Sequence, residues 1–105
     1  MTPEGRIKAK LKRELDKLPN VYRFMPVQNG MGAPALDFYL CVHGHFVAIE
    51  TKAPGKKMTA RQEVTSDQIL KAWGRVFVVS TPEEVNELIL ALKPLGAANA
   101  SGEEV

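Results

Sequence analysis

The stretch DFYLCVHGHFVAIETK, residues 37–52, decides how the rest of the chain is read. With Leu36 before it, the stretch divides into two apolar runs, 36–42 and 45–52, around His43-Gly44. Glycine takes positive φ freely and histidine is among the residues enriched there, so this pair predicts a tight hairpin turn. A turn at that point fixes the register. Val42 falls opposite His45, Cys41 opposite Phe46, Tyr39 opposite Ala48 and Asp37 opposite Glu50. Side chains alternate along a strand. Leu36, Phe38, Leu40, Val47 and Ile49 therefore form a core face, and Asp37, Glu50 and Lys52 share the other face beside Ala35 and Ala48.

Directly opposed residues have Cβ atoms ~4.5–5.5 Å apart, and like charges placed there destabilise a sheet. A protonated carboxyl or a bound divalent cation would relieve the repulsion. Two carboxylates are hard oxygen ligands, which suit Mg²⁺ or Mn²⁺ better than Zn²⁺. With the amine of Lys52 on the same face, such a group can bind and polarise a phosphodiester and position a water. The outer face of the hairpin thus has the composition of a hydrolytic site. The other reading is that Lys52 only pairs with Glu50 on a wet sheet face.

Outward from the hairpin, residues 3–17 predict a helix. Thr2 can cap it, Pro3 suits its first turn, and Ile7, Leu11, Leu15 and Leu18 form one stripe. VYRFMPV, 21–27, predicts a strand in which Pro26 argues for an edge or an end. QNGMGAP, 28–34, and APGKK, 53–57, predict loops. Residues 59–74 predict a helix capped by Thr59 and stopped by a left-handed Gly74. RVFVVS predicts a strand buried on both faces. A last helix begins at Thr81-Pro82 with Glu84 in a capping box, and Val85, Leu88, Ile89 and Leu92 form its stripe. Residues 1–95 then make one domain and 96–105 a disordered tail. The order is α-β-β-β-α-β-α. A helix between the third and fourth strands implies a crossover, so the expected fold is α/β with a mixed central sheet flanked by helices.

The chain has 105 residues, enough for one domain. No apolar run reaches the ~20 residues of a membrane helix, and residues 1–15 lack a signal-peptide core. One cysteine, Cys41, permits no internal disulfide, so a reducing cytoplasm is expected, including a host cytoplasm if the chain is viral. The net charge of +2 is small, but the cations cluster at 6–17 and 52–61 while acids gather towards the C-terminus. That asymmetry allows a nucleic-acid surface as well as ordinary solvated helix faces.

Asp37 followed by Glu50-Thr51-Lys52 resembles the D…ExK signature of the PD-(D/E)XK nucleases, with Pro34 displaced to three residues before Asp37. The loop NGMGAPALD, the strand VAIETK, the glycine-lysine loop, the helix bearing Gln62 and the strand VFVVS together resemble the VRR-NUC branch, itself similar to Holliday junction resolvases. The resemblance covers residues 3–92. It implies a restriction-endonuclease-like core. It further implies Asp37, Glu50 and the Thr51 main-chain carbonyl as ligands of Mg²⁺ or Mn²⁺, and Lys52 acting on the attacking water and the phosphate. Gln62 would touch the lysine, the water or the phosphate, although Thr59 to Gln62 is also a capping box. Glu4 is the candidate acid from the first helix, with Glu14 its rival and a helix-dipole role the alternative. His43, His45 and Cys41 are read as turn and packing residues, and Trp73, in line with Ile69, as core or interface rather than a base-stacking platform.

The implied function is a metal-dependent endodeoxyribonuclease, selective for Holliday junctions or other branched DNA. Alternatives are a flap or nicking nuclease, or a non-cleaving DNA-binding or assembly module. Lys8, Lys12, Lys56, Lys57 and Arg61 are the candidate phosphate contacts. The chain is too short for a separate base-reading domain, and two strands call for two active sites. A homodimer is therefore expected, with its interface near Trp73 and the edge strand 21–27.

Overall fold

A computed structural model of the chain describes residues 1–27 and 32–100, the last five of these by backbone only. The elements are α1 (Pro3–Asp16), β1 (Val21–Phe24), β2 (Phe38–Val42), β3 (His45–Thr51), α2 (Ala60–Lys71), β4 (Arg75–Val79) and α3 (Pro82–Ala100). The order is the one expected. Residues 28–31 of the expected loop lie outside the described residues. So do 101–105 of the expected tail, whose earlier part continues α3 as far as Ala100. Among the described residues no helix is long and apolar enough to cross a membrane.

His43 and Gly44 take φ of 49° and 87°. Two successive positive values are the signature of a type I′ turn, whose twist matches that of the strands it joins. The turn fixes the hairpin register as read from sequence, with Tyr39 opposite Ala48 and Val42 opposite His45. β1 adds antiparallel to β2, and β4 adds parallel to β3 after the α2 crossover. The sheet order is β1-β2-β3-β4.

Alternation then divides the sheet between two layers. Phe38, Leu40, Val42, Val47 and Ile49 join Ile7, Leu11 and Leu15 of α1 and Val85, Leu88, Ile89 and Leu92 of α3 in one buried cluster. The opposite face carries Tyr39, Cys41, Phe46, Ala48 and Glu50, and α2 lies over its β4 side. Only Thr65 and Ser66 of α2 are buried, so this second layer is thin. The caps are as expected at Thr2, which accepts from the Gly5 amide, and at Thr59. Glu84 uses its carboxylate on the Ser80 amide and hydroxyl.

Three expectations change. β4 is an edge strand, not one buried on both faces: Arg75 and Val78 are exposed and only Val79 is buried. Its apolar run serves one packed face and a partly open one. β1 ends at Phe24, before Pro26, which cannot donate to a ladder. At the end of α2 the left-handed residue is Trp73, at φ 69°, and not Gly74. The Trp73 amide donates to Leu70 O and the Gly74 amide to Ile69 O, which is the Schellman pattern with Trp73 in the left-handed position. Glycine is required one residue later for space. A Cβ on Gly74 would meet Ile69 Cγ2 at 2.6 Å, Phe46 Cδ2 at 3.0 Å and Ile69 O at 3.2 Å.

Gly74→Ala should therefore cost about 1–3 kcal/mol, the usual range for overpacking a close contact. Urea unfolding checks this. An unchanged midpoint would show that the α2 terminus shifts freely away from Phe46.

Candidate active site

The hairpin brings Asp37 beside Glu50 through the backbone as well as through charge. The Asp37 amide donates to Glu50 Oε1 at 3.1 Å. In return, Asp37 Oδ2 accepts from the Thr51 amide at 3.0 Å and from the Thr51 hydroxyl at 2.6 Å. These reciprocal bonds tie the segment entering β2 to the end of β3. Both carboxylates are buried, Asp37 at 8% exposure and Glu50 at 2%. The wet sheet face considered from sequence is therefore not what forms.

Two cations stand over the pair. Lys52 Nζ lies 3.6 Å from Glu50 Oε2, and Lys8 Nζ, from α1, lies 3.6 Å from Asp37 Oδ1. Gln62 completes the frame from α2. Its Oε1 accepts from the Thr59 amide at 2.9 Å, its own amide donates to Thr59 Oγ1 at 3.2 Å, and its Nε2 donates to Glu50 Oε2 at 2.7 Å. The capping role and the site role are both present. The group that Gln62 touches is Glu50, a partner not singled out from the sequence.

Burial first, and the nearby Asp37 charge second, push the Glu50 carboxyl up to about 7. Lys52 and the Asp37 amide oppose the rise, and the charge of Glu4 adds to it. Glu4 is thus within electrostatic reach of the site. It lines a cleft of about 460 Å³ with Thr2, Gly5, Lys8 and Ala53. Glu14 points elsewhere and pairs with Lys17 at 3.0 Å.

Among the described residues no group of three His, Cys, Asp or Glu side chains gathers as a metal cluster. Asp37 and Glu50 nevertheless suit a hard divalent cation. Mg²⁺ keeps several waters and is commonly held by only one or two carboxylates. Two buried acids, one of them with a raised pKa, also gain from a positive charge between them. Zinc chemistry finds no support at His43 and His45, which stay at the turn and at the start of β3.

Of the cations read as phosphate contacts, Lys12, Lys56, Lys57 and Arg61 are exposed. Lys56 and Lys57 lie in the loop that leaves Lys52, and Arg61 adjoins Gln62. Lys8 is drawn into the site as the partner of Asp37. Sequence reasoning also missed the Thr51 hydroxyl. Alternation assigns Thr51 to the core face, so spacing offered no reason to place its oxygen on Asp37. For Lys8 a signal existed: it follows Glu4 by four residues, on the same face of α1.

Compared with known proteins, the chain matches no family model and no curated sequence. A solved structure titled "VRR_NUC domain" superposes with a TM-score of 0.73 at 24% identity, over 86% of this chain and 97% of that one. The chain therefore has the fold of that VRR-NUC domain.

The raised Glu50 pKa has a consequence for stability. The folded chain holds this proton up to about pH 7, whereas an unfolded glutamate loses it near its ordinary value of 4.5. Between those values the folded state binds more protons, so metal-free stability falls as pH rises through the window. The full span corresponds to about 3 kcal/mol. Melts in chelator should show this loss, and Glu50→Gln should flatten it. Adding Mg²⁺ or Mn²⁺ above pH 7 should raise the melting temperature of the wild type but not of Glu50→Gln. A wild-type profile that is flat in chelator would mean that Glu50 is ionised throughout.

Proposed function

We propose that this protein is a Mg²⁺- or Mn²⁺-dependent nuclease that hydrolyses DNA phosphodiester bonds. The observation that carries the reading is the placement of Asp37, Glu50 and Lys52 on one end of the hairpin, with Gln62 holding Glu50 from a separate helix. Asp37, Glu50 and the Thr51 main-chain carbonyl would hold the cation, with the charge of Glu4 on α1 adding to the field at the site. When bound, the cation supplies Lewis-acid polarisation of the phosphodiester.

The remaining work falls to the chain's own groups. Lys52 Nζ, beside Glu50, orients the attacking water and offsets negative charge that builds on the phosphate. Gln62 Nε2 fixes Glu50 Oε2, so the carboxylate cannot rotate away from the site. Lys8 restrains Asp37 in the same manner. Lys12, Lys56, Lys57 and Arg61 hold phosphates on either side of the cut without reading bases, which suits recognition of DNA shape. We assign the substrate as branched DNA, Holliday junctions included, cut by a homodimer whose two sites are related by a two-fold axis. Support for a second copy comes from the open sheet face at the β1 edge, where Tyr22 is 69% and Phe24 53% exposed beside the exposed Cys41. That face is aromatic and uncharged, as interface cores are. A lone cysteine suits a reducing cytoplasm.

Labelled four-way, flapped and linear DNAs with Mg²⁺ or Mn²⁺ test the activity. Cleavage should need the metal. Lys52→Ala should keep Mn²⁺ binding in calorimetry and lose about 10²–10⁴-fold in rate. Asp37→Asn should abolish cleavage with little loss of stability, because its amide oxygen can still accept from Thr51. Near-normal turnover in either variant would remove that residue from the mechanism.

Assembly is tested separately. Sedimentation should find a dimer at micromolar concentration, and junction affinity should fall about 10³-fold between 50 and 200 mM salt. A monomer that binds linear duplex as well as junctions would remove the junction assignment and leave the nuclease assignment standing.

A further inference from the structure

Trp73 is the chain's one tryptophan, and the fold spends strain to display it. It is 93% exposed, so of the core and interface positions expected from the sequence the core is not the one it takes. Its φ of 69° is a conformation that glycine adopts freely and bulky residues rarely adopt. A bulky, strained and solvated side chain at a helix terminus is a candidate for contact with something outside the chain.

The surroundings indicate what that contact would be. Trp73 stands at the rim of a cleft of about 550 Å³, walled by Phe46, Ile69 and the backbone of Gly44 and Gly74, with Gln68, His45 and Arg75 as its polar groups. Apolar walls with a few polar groups, at this size, suit a planar heterocycle. Gln68 also lines a second cleft, of about 390 Å³, with Arg61, Val64 and Thr65. Gln68 thus borders both clefts, which lie along α2 between Arg61 and Trp73. Arg61 is next to Gln62, which touches Glu50. The clefts therefore begin beside the candidate active site.

We propose that Trp73 is a stacking platform for an unpaired nucleobase of the substrate strand. The proposal rests on the nuclease reading and narrows it: among branched DNAs it favours flapped substrates, which offer an unpaired strand, over fully paired four-way junctions. The twelve residues of α2 rise ~18 Å, which at the 3.4 Å per nucleotide of a duplex strand places the base at most about five nucleotides from the scissile phosphate, and closer where the unpaired strand is extended. Charge favours a nucleic-acid strand over a second copy of the chain at this position. Lys71 and Arg75 are exposed on either side of Trp73, and among the described residues neither makes an ion pair. Protein interfaces deplete charge at their centres, whereas strand-binding grooves combine aromatic rings with cations.

Because Trp73 is the single tryptophan, its fluorescence reports on this position alone. Wild-type protein is titrated in chelator with end-labelled flapped DNA, following quenching and label anisotropy together. The same DNA carrying an abasic residue is compared, with that residue moved along the strand. Quenching should accompany binding and disappear at one position of the abasic residue, within about five nucleotides of the cut. Trp73→Ala should weaken binding to the flapped DNA about five- to hundredfold and leave linear duplex unaffected, while Trp73→Phe should retain most of the affinity. Binding without quenching, or a Trp73→Ala protein of unchanged affinity, overturns the stacking role while the nuclease reading stands on its cleavage assay. A blue shift that grows with protein concentration in the absence of DNA also overturns it, by showing that a second copy covers Trp73. Absence of both anisotropy change and cleavage on every DNA overturns the nuclease reading itself.

Discussion

The bond from the Asp37 amide to Glu50 Oε1, returned by Thr51 to Asp37 Oδ2, is the constraint on which the rest of the structure depends. Two buried carboxylates on facing segments would repel. Here each accepts a backbone hydrogen from the other's segment, which balances part of the repulsion, and the proton that Glu50 keeps up to about pH 7 relieves more of it. The arrangement needs the hairpin register to be right by a single residue, since a slip of one would turn every side chain to the opposite face. The type I′ turn at His43-Gly44 therefore matters well beyond its own two residues. It sets the register some six residues away, and with it the placement of the acids.

Much of this was legible because period and turn agree. The hairpin register, the two stripes on α1 and α3 and the Thr2 and Thr59 caps each follow from local pattern, and each local pattern is consistent with the fold. What was not legible depends on neighbours that the sequence does not name. Gly74 looks like the left-handed stop because glycine usually fills that position. It is glycine instead because Phe46 and Ile69 leave no room for a Cβ, and Phe46 comes from a strand 28 residues earlier. RVFVVS looks like a central strand because it is wholly apolar, yet nothing pairs beyond it in the sheet described.

The candidate site divides along the same line. Asp37, Glu50 and Lys52 could be grouped from one hairpin, because alternation alone places them. Lys8 could be found on the right face of α1 but not paired with Asp37, since that needs the angle at which α1 crosses the sheet. The thin second layer has a similar origin. α2 brings Gln62 to Glu50 and Trp73 past Phe46, but it buries little else, and so it leaves the aromatic half of the sheet beside β1 open.

Gln62 carries two obligations at once, and together they restrict its identity. Glutamine and glutamate close a capping box about equally well, because either can accept from the Thr59 amide. Only the amide has a donor left over for Glu50. A glutamate there would satisfy the helix and set a third negative charge against an already unwilling acid. Folding alone leaves two residues interchangeable at this position, and the chemistry of the neighbouring carboxylate selects one of them. A position that looks like routine helix punctuation is in this way under the control of the site it borders.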